Sequence, residues 1–206
     1  MAAPASTDWR GWLFALGMAL AVPATADVFN REDVILAPVP DHFSVCFNGS
    51  CKELSVVGLS AEQWRQVRET FTPPAPDPEA ERKQIAAAIA LMERFVGKLT
   101  DTAHDLGRND VGNPGDNWMD CIDESTNTTS YLKIFAAQGL LKWHTVQDRQ
   151  TRGWFLFGYP HTSAVIRDTQ SGQEYAVDSW FYPNGVAPAI LPVGVWHDGW
   201  NPPPTP

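Results

Sequence analysis

The chain has 206 residues, a formal net charge of −9, 44% hydrophobic and 11% aromatic residues, and only 19% charged ones. That is enough for one domain with a buried core, too little for two ordinary domains, and too apolar for disorder throughout. No lysine or arginine run offsets the acidic balance, which argues against a nucleic-acid or anionic-membrane surface, since both are held mainly by basic patches.

Residues 1–26 read as a signal peptide. The apolar run GWLFALGMALAV is too short for a hydrocarbon layer of roughly 30 Å, and Ala24 and Ala26 stand at the −3 and −1 positions of a cleavage site. Arg10 before the run is offset by Asp8. The expected location is the periplasm or the exterior, with no stable membrane anchor after cleavage; the alternatives are an uncleaved N-terminal anchor and a buried core helix. Residues 27–206 are then a single α+β domain, with a hairpin and helices over 27–112, a core over 113–183 and a C-terminal coil over 184–206.

From Asp27 to Val57 the sequence alternates apolar and polar residues around HFSVCFNGSCKELSVV. Asn48-Gly49 is the preferred dipeptide of a two-residue hairpin turn. That register pairs Phe47 with Ser50 and sets Cys46 opposite Cys51, with Cα atoms about 4.5 Å apart and within disulfide range. A Cys46–Cys51 bridge is expected, with two reduced strand cysteines as the alternative. In either case Cys121 is the odd cysteine of the three.

Ser60 and Gln63 form a capping box for a first helix, LSAEQWRQVRETF, which TPPAPDP stops. Asp77 and Pro78 start a second helix to about Leu99, with Ile85, Ile89, Met92, Phe95, Val96 and Leu99 on a buried stripe. LGRNDVGNPGDNW is a loop, and a third helix runs from about Cys121 to Gln138, with Gly139 just past its end. Beyond it the period falls to two: HTVQDR, GWFLFG, HTSAVIRD and EYAVDSWF read as strands. Helices first and an antiparallel sheet afterwards give an α+β layout. The tail that follows, rich in proline and tryptophan, reads as coil over the sheet, with Trp196 and Trp200 as parts of a lid.

At about 100° per residue, Cys121 falls on the side of the third helix that carries Leu132, with Ser125 and Thr128 between them. Asp123 points away and Glu124 flanks the thiol. Asp120 suits an N-cap and Asp123 a first-turn acid, while a thiolate at the first helical position gains from the same unsatisfied N–H groups. Pairing Asp168 with Gln173 across TQSG sets His161 opposite Trp180, with Asp178 a diagonal neighbour on one sheet face, about 7–8 Å away at Cα. Cys121, His161 and Asp178 therefore have the order and parity of a nucleophile, a base and an orienting carboxylate.

DCIDESTNTTSYLKIFAAQGLL followed by PHTSAVIRDTQSGQEYAVDSWF resembles the transglutaminase-like branch of the papain-fold superfamily of cysteine proteases and acyltransferases, over about residues 113–183. The resemblance implies a cysteine-bearing helix packed on an antiparallel sheet and a thiol acyl-transfer site with Cys121, His161 and Asp178 in those three roles. It implies an amide-containing peptide or protein substrate and no cofactor. Members often carry glycine or tryptophan beside the cysteine, where this chain has Asp120 and Ile122. Asn117 and Trp118 are the candidates for an oxyanion donor beyond the Cys121 amide.

Each element also has a plainer reading. Cys121 is a small buried residue, His161 a satisfied strand histidine, Asp178 a turn-binding carboxylate, and the whole an envelope binding or structural protein. A metal held by Cys121, His161 and Asp178 is a third possibility, but closely spaced ligand pairs are missing, so no metal is expected. The proline loop at 72–78 covering the cleft would make a latent enzyme. NGS at Asn48 and NTT at Asn127 match the glycosylation pattern without further support.

Overall fold

The structure is a computed structural model that describes Met1 and residues 31–109, 116–153 and 160–203. The hairpin β1 (Phe43–Phe47) and β2 (Glu53–Val57) is followed by α1 (Ala61–Glu69) and α2 (Pro78–Thr100). Next comes α3 (Cys121–Ala137), and then β3 (His144–Arg152), β4 (His161–Asp168), β5 (Glu174–Asp178), β6 (Ala189–Pro192) and α4 (Val193–His197). The fold is mixed α+β, with a two-stranded sheet and a four-stranded antiparallel sheet in the order β3-β4-β5-β6.

Local chemistry sets the helix starts. Ser60 accepts from the Gln63 amide at 3.2 Å and Gln63 returns the bond at 2.8 Å, closing the expected capping box of α1. Asp77 caps α2 through the Ala80 amide, with Pro78 at a position where a missing N–H costs nothing. Gly139, at φ +69°, ends α3: the Leu140 amide reaches the Phe135 carbonyl and the Gly139 amide reaches Ala136, a Schellman close.

The third helix is the axis of the molecule. It packs on β4, β3 and β5 on one side and on β1 and α2 on others. Leu132, Ile134 and Phe135 meet Phe43, Val45, Val67, Ile85, Ile89, Ala164, Ile166 and Val177 in one core. Because it is covered on several sides, its polar residues from Asp123 to Thr128 are buried as well. Those groups need partners inside the protein, which fixes how the helix is seated.

Two expectations are corrected. The Cys46–Cys51 disulfide is present, but the strands pair Cys46 with Leu54 and Phe47 with Glu53. The connection is therefore the five-residue loop 48–52, and the bridge spans the loop instead of crossing between strands. Asn48, Gly49, Ser50 and Cys51 all take positive φ, from 51° to 78°; the last three turn their amides toward acids at the start of α3, as described below. The tail is not coil: β6 pairs with β5, Asp178 facing Ala189, and α4 follows. The GWFLFG strand falls on residues 154–159, and residues 2–30 contain nearly all of the expected signal peptide; both lie outside the described residues. No helix among the described residues is long and apolar enough to cross a membrane.

Glu81 joins α2 to the sheet. Its carboxylate is 1% exposed and accepts the amides of Lys142, Trp143 and His144 and the His144 ring at 2.9 Å. Burial alone would raise this carboxyl, but the bonds from His144, Lys142 and Trp143 outweigh it and hold the group below its usual range. A lowered folded-state pKa gives stability that is present above the unfolded value and lost as pH falls through the folded one. Glu81→Ala leaves buried donors unmet and is expected to cost about 3 kcal/mol in urea unfolding at neutral pH. The gap from wild type should narrow on acidification below the carboxylate range. A gap that stays constant with pH would contradict this assignment.

Candidate active site

The N-terminus of α3 is built from two acids and a loop. Asp120 Oδ1 accepts the Ile122 and Asp123 amides at 2.9 and 3.0 Å, and Asp123 Oδ2 accepts the Asp120 amide at 3.1 Å. The remaining lone pairs reach out of the helix. Asp120 Oδ2 takes the Ser50 amide at 2.8 Å, while Asp123 takes the Gly49 and Cys51 amides at 2.8 and 2.6 Å. Successive left-handed residues present their N–H groups as an anion cradle, and the disulfide closes that cradle. One turn on, the Asn127 carboxamide bonds both backbone groups of Cys46 at 2.7 and 2.9 Å. Asn127 is buried, so its NTT pattern is no accessible acceptor.

This seat places Cys121, part-buried, at the first helical position, with Sγ 4.0 Å from the Pro160 carbonyl. Pro160 directly precedes His161. The β4–β5 register is the one expected from the sequence, with Ala164 facing Val177 and Arg167 facing Glu174. It brings His161 Nε2 to 2.7 Å from Asp178 Oδ2. A carboxylate only accepts, so Nε2 carries the proton. The other ring nitrogen, Nδ1, is buried and has no partner among the described residues. The Cys121–His161 hydrogen bond is thus not made in this conformation, although the thiol lies against the backbone that carries the histidine.

Aromatic rings enclose His161. The centroids of Trp180, Phe181 and Trp196 lie 4.6, 5.3 and 5.6 Å from its own. Trp180 is fixed by its indole bond to the Asn109 carbonyl and by the Arg108 amide on its own carbonyl. Trp196 is fully buried and donates its indole N–H to Asp178 Oδ2 at 2.7 Å. It belongs to the tail read as coil, and its tryptophan content was the only signal pointing there.

The acids around the thiol carry less charge than their number suggests. Burial and the neighbouring Asp120 push Asp123 up to about 7, against the amides of Asp120, Cys51 and Gly49. Burial also raises Glu124 well above its ordinary value, helped by Glu93, Asp105, Asp123 and Asp178. Glu93, which bonds Ser179 next to Asp178, is pushed up to about 7 by burial, against bonds from Ser179 and the Gly185 amide. Ser179 in turn lies 3.3 Å from the Thr128 hydroxyl, tying this floor to α3.

Asn117 and Trp118 belong to the seat. The Asn117 amide donates to Asn48 Oδ1 at 2.7 Å and its carboxamide to Asp101 at 3.4 Å. The Trp118 carbonyl accepts the Asn48 amide at 2.7 Å, and its ring lies so close to Gly49 that a Cβ there would be 2.7 Å from it. Among the described residues, the one cluster with metal-ligand atoms close together is Cys46, Cys51 and Asp123, whose two sulfurs are bonded to each other. No family model, curated protein or solved structure matches this chain.

Raised carboxyl groups make stability fall as pH climbs from the ordinary carboxylate range to the folded value, here about 7 for Glu93. Glu93→Gln keeps the shape and removes the titration. It is expected to match wild type near about pH 5 and to exceed it in urea midpoint near about pH 8. Parallel curves for the two proteins across that span would show that Glu93 does not titrate there.

Proposed function

We propose that the protein is a thiol hydrolase or acyltransferase of transglutaminase-like type, acting on an amide or peptide bond through Cys121, His161 and Asp178. The observation that carries this reading is the buried His161–Asp178 pair. Its unoccupied Nδ1 belongs to the residue next to the carbonyl on which the Cys121 sulfur rests. In this chemistry His161 Nδ1 takes the thiol proton and the thiolate attacks the amide carbon. The helix end at Cys121 stabilises the oxyanion. Collapse of the tetrahedral species breaks the C–N bond, His161 returns its proton to the leaving amine, and a thioester remains. Water then attacks the thioester, giving the acid and restoring the thiol. Hydrolysis is favoured over transamidation because water is always present and no second-substrate feature is visible.

The disulfide and the signal-like residues 1–26 support export to an oxidising compartment. A second reading, a binding protein that keeps the scaffold without chemistry, draws support from the unmade Cys121–His161 bond. Apo catalytic hydrogen bonds are often long, so that geometry does not decide between the two.

The deciding measurement is the pH dependence of Cys121 alkylation, read by mass spectrometry, in wild type and in His161→Ala. A thiolate–imidazolium pair places the midpoint well below the ~8.5 of an ordinary thiol, and loss of His161 moves it upward. A slow reaction with an ordinary midpoint in folded protein would make Cys121 structural and leave the binding reading standing.

A further inference from the structure

We propose that Trp196 is a positioning residue for this site: its indole N–H holds the Asp178 carboxylate in the rotation that presents Oδ2 to His161, and the strap formed by β6 and α4 delivers it. The inference rests on the catalytic reading above and adds a fourth member to the set.

The geometry is specific. His161 Nε2 and Trp196 Nε1 both lie 2.7 Å from the same oxygen, Asp178 Oδ2. Two donors converging on one oxygen from different elements fix the carboxylate about its terminal torsion, which is otherwise broad. Asp178 is 2% exposed, and no backbone N–H to its side chain appears among the described bonds. A buried carboxylate in that position depends on the donors it has. With Trp196 removed, Asp178 keeps a single described donor, the His161 ring, and nothing else described fixes its terminal torsion. A rotated Asp178 no longer presents Oδ2 to the imidazolium that the thiolate needs.

The strap is fastened at both ends. On one side Asp178 pairs with Ala189 of β6, directly across from the carboxylate's own backbone. On the other, Arg152 donates to the carbonyls of Trp196 and Trp200 at 2.5 and 2.8 Å and lies 4.8 Å over the Trp196 ring. Arg152 is the register partner of His161 on β3. The strand that flanks the histidine therefore also latches the helix that orients its carboxylate. A tryptophan that only filled core volume would need some acceptor for its N–H, but it would not need this one, nor a guanidinium clamp on its carbonyl.

The test compares alkylation midpoints of Cys121 with iodoacetamide in wild type, His161→Ala and Trp196→Phe, with near-ultraviolet circular dichroism confirming the fold of each. Trp196→Phe keeps the ring and removes the donor. The expected result is a midpoint raised by about one pH unit, the size of one hydrogen bond to a charged group, and below the shift in His161→Ala. If His161→Ala moves the midpoint and Trp196→Phe does not, this inference fails and the catalytic reading stands. If neither moves it, both fail. Should Trp196→Phe not fold, 15N-indole-labelled wild type replaces it. The Trp196 indole proton, assigned through its contact with the His161 ring, should shift with the same midpoint as the thiol, and an indole signal unmoved through that range overturns the proposal.

Discussion

The structure depends on the demand of two buried carboxylates, Asp120 and Asp123, for hydrogen-bond donors. The first turn of α3 supplies some of them, the amides of Ile122, Asp123 and Asp120. It cannot supply all, because each oxygen has two lone pairs and the helix end has few N–H groups pointing that way. The loop of the β1–β2 hairpin provides the rest by turning three consecutive amides inward. Non-glycine residues in the left-handed region cost energy, of the order of 1–3 kcal/mol each, so that loop conformation is held by its acceptors and by the disulfide. The position of Cys121 follows from this arrangement, since it is the next residue after Asp120.

The same logic runs through the molecule. Most of the buried acids take backbone amides as their donors. Glu81 takes three amides at the start of β3, Glu93 takes Gly185, Asp105 takes Met119, and Asp168 takes Gln170 and Ser171. Each of these ties one segment of the chain to another or closes a turn, which is structural work. Asp178 differs: its described partners are two side-chain rings, His161 and Trp196. Glu81 also bonds a ring, that of His144, but three amides hold it as well, whereas no amide bond to the Asp178 side chain is found among the described residues. That contrast separates the candidate site from the other buried acids better than burial or charge does.

What the sequence made legible was local. Ser60 with Gln63, Asp77 with Pro78, and Gly139 after α3 each act within a few residues, so their chemistry is complete in the sequence. The β4–β5 register was legible because a short turn joins the strands, and pairing Asp168 with Gln173 across it fixes the pairs that follow. The hairpin loop was not: Asn48-Gly49 carries a strong local preference for a two-residue turn, and acids about 70 positions later override it. The tail was missed for a similar reason. AILP is short and proline-bounded, and its pairing is set by the free edge of β5, which the residues of β6 do not announce. The role of Trp196 depends in turn on that pairing.

The unmade bond between Cys121 and His161 follows from how firmly each partner is held. The imidazole is gripped on its faces by Trp180, Phe181 and Trp196 and at Nε2 by Asp178. The backbone of Cys121 is fixed by the carboxylate seat. The Cys121 side chain turns about a single torsion, and its Sγ lies 4.0 Å from the Pro160 carbonyl. In the proposed chemistry the sulfur, which turns about one bond, is the group that adjusts toward a base already oriented. In that reading, order is built into the histidine and its carboxylate, and the adjustment falls to the smallest group.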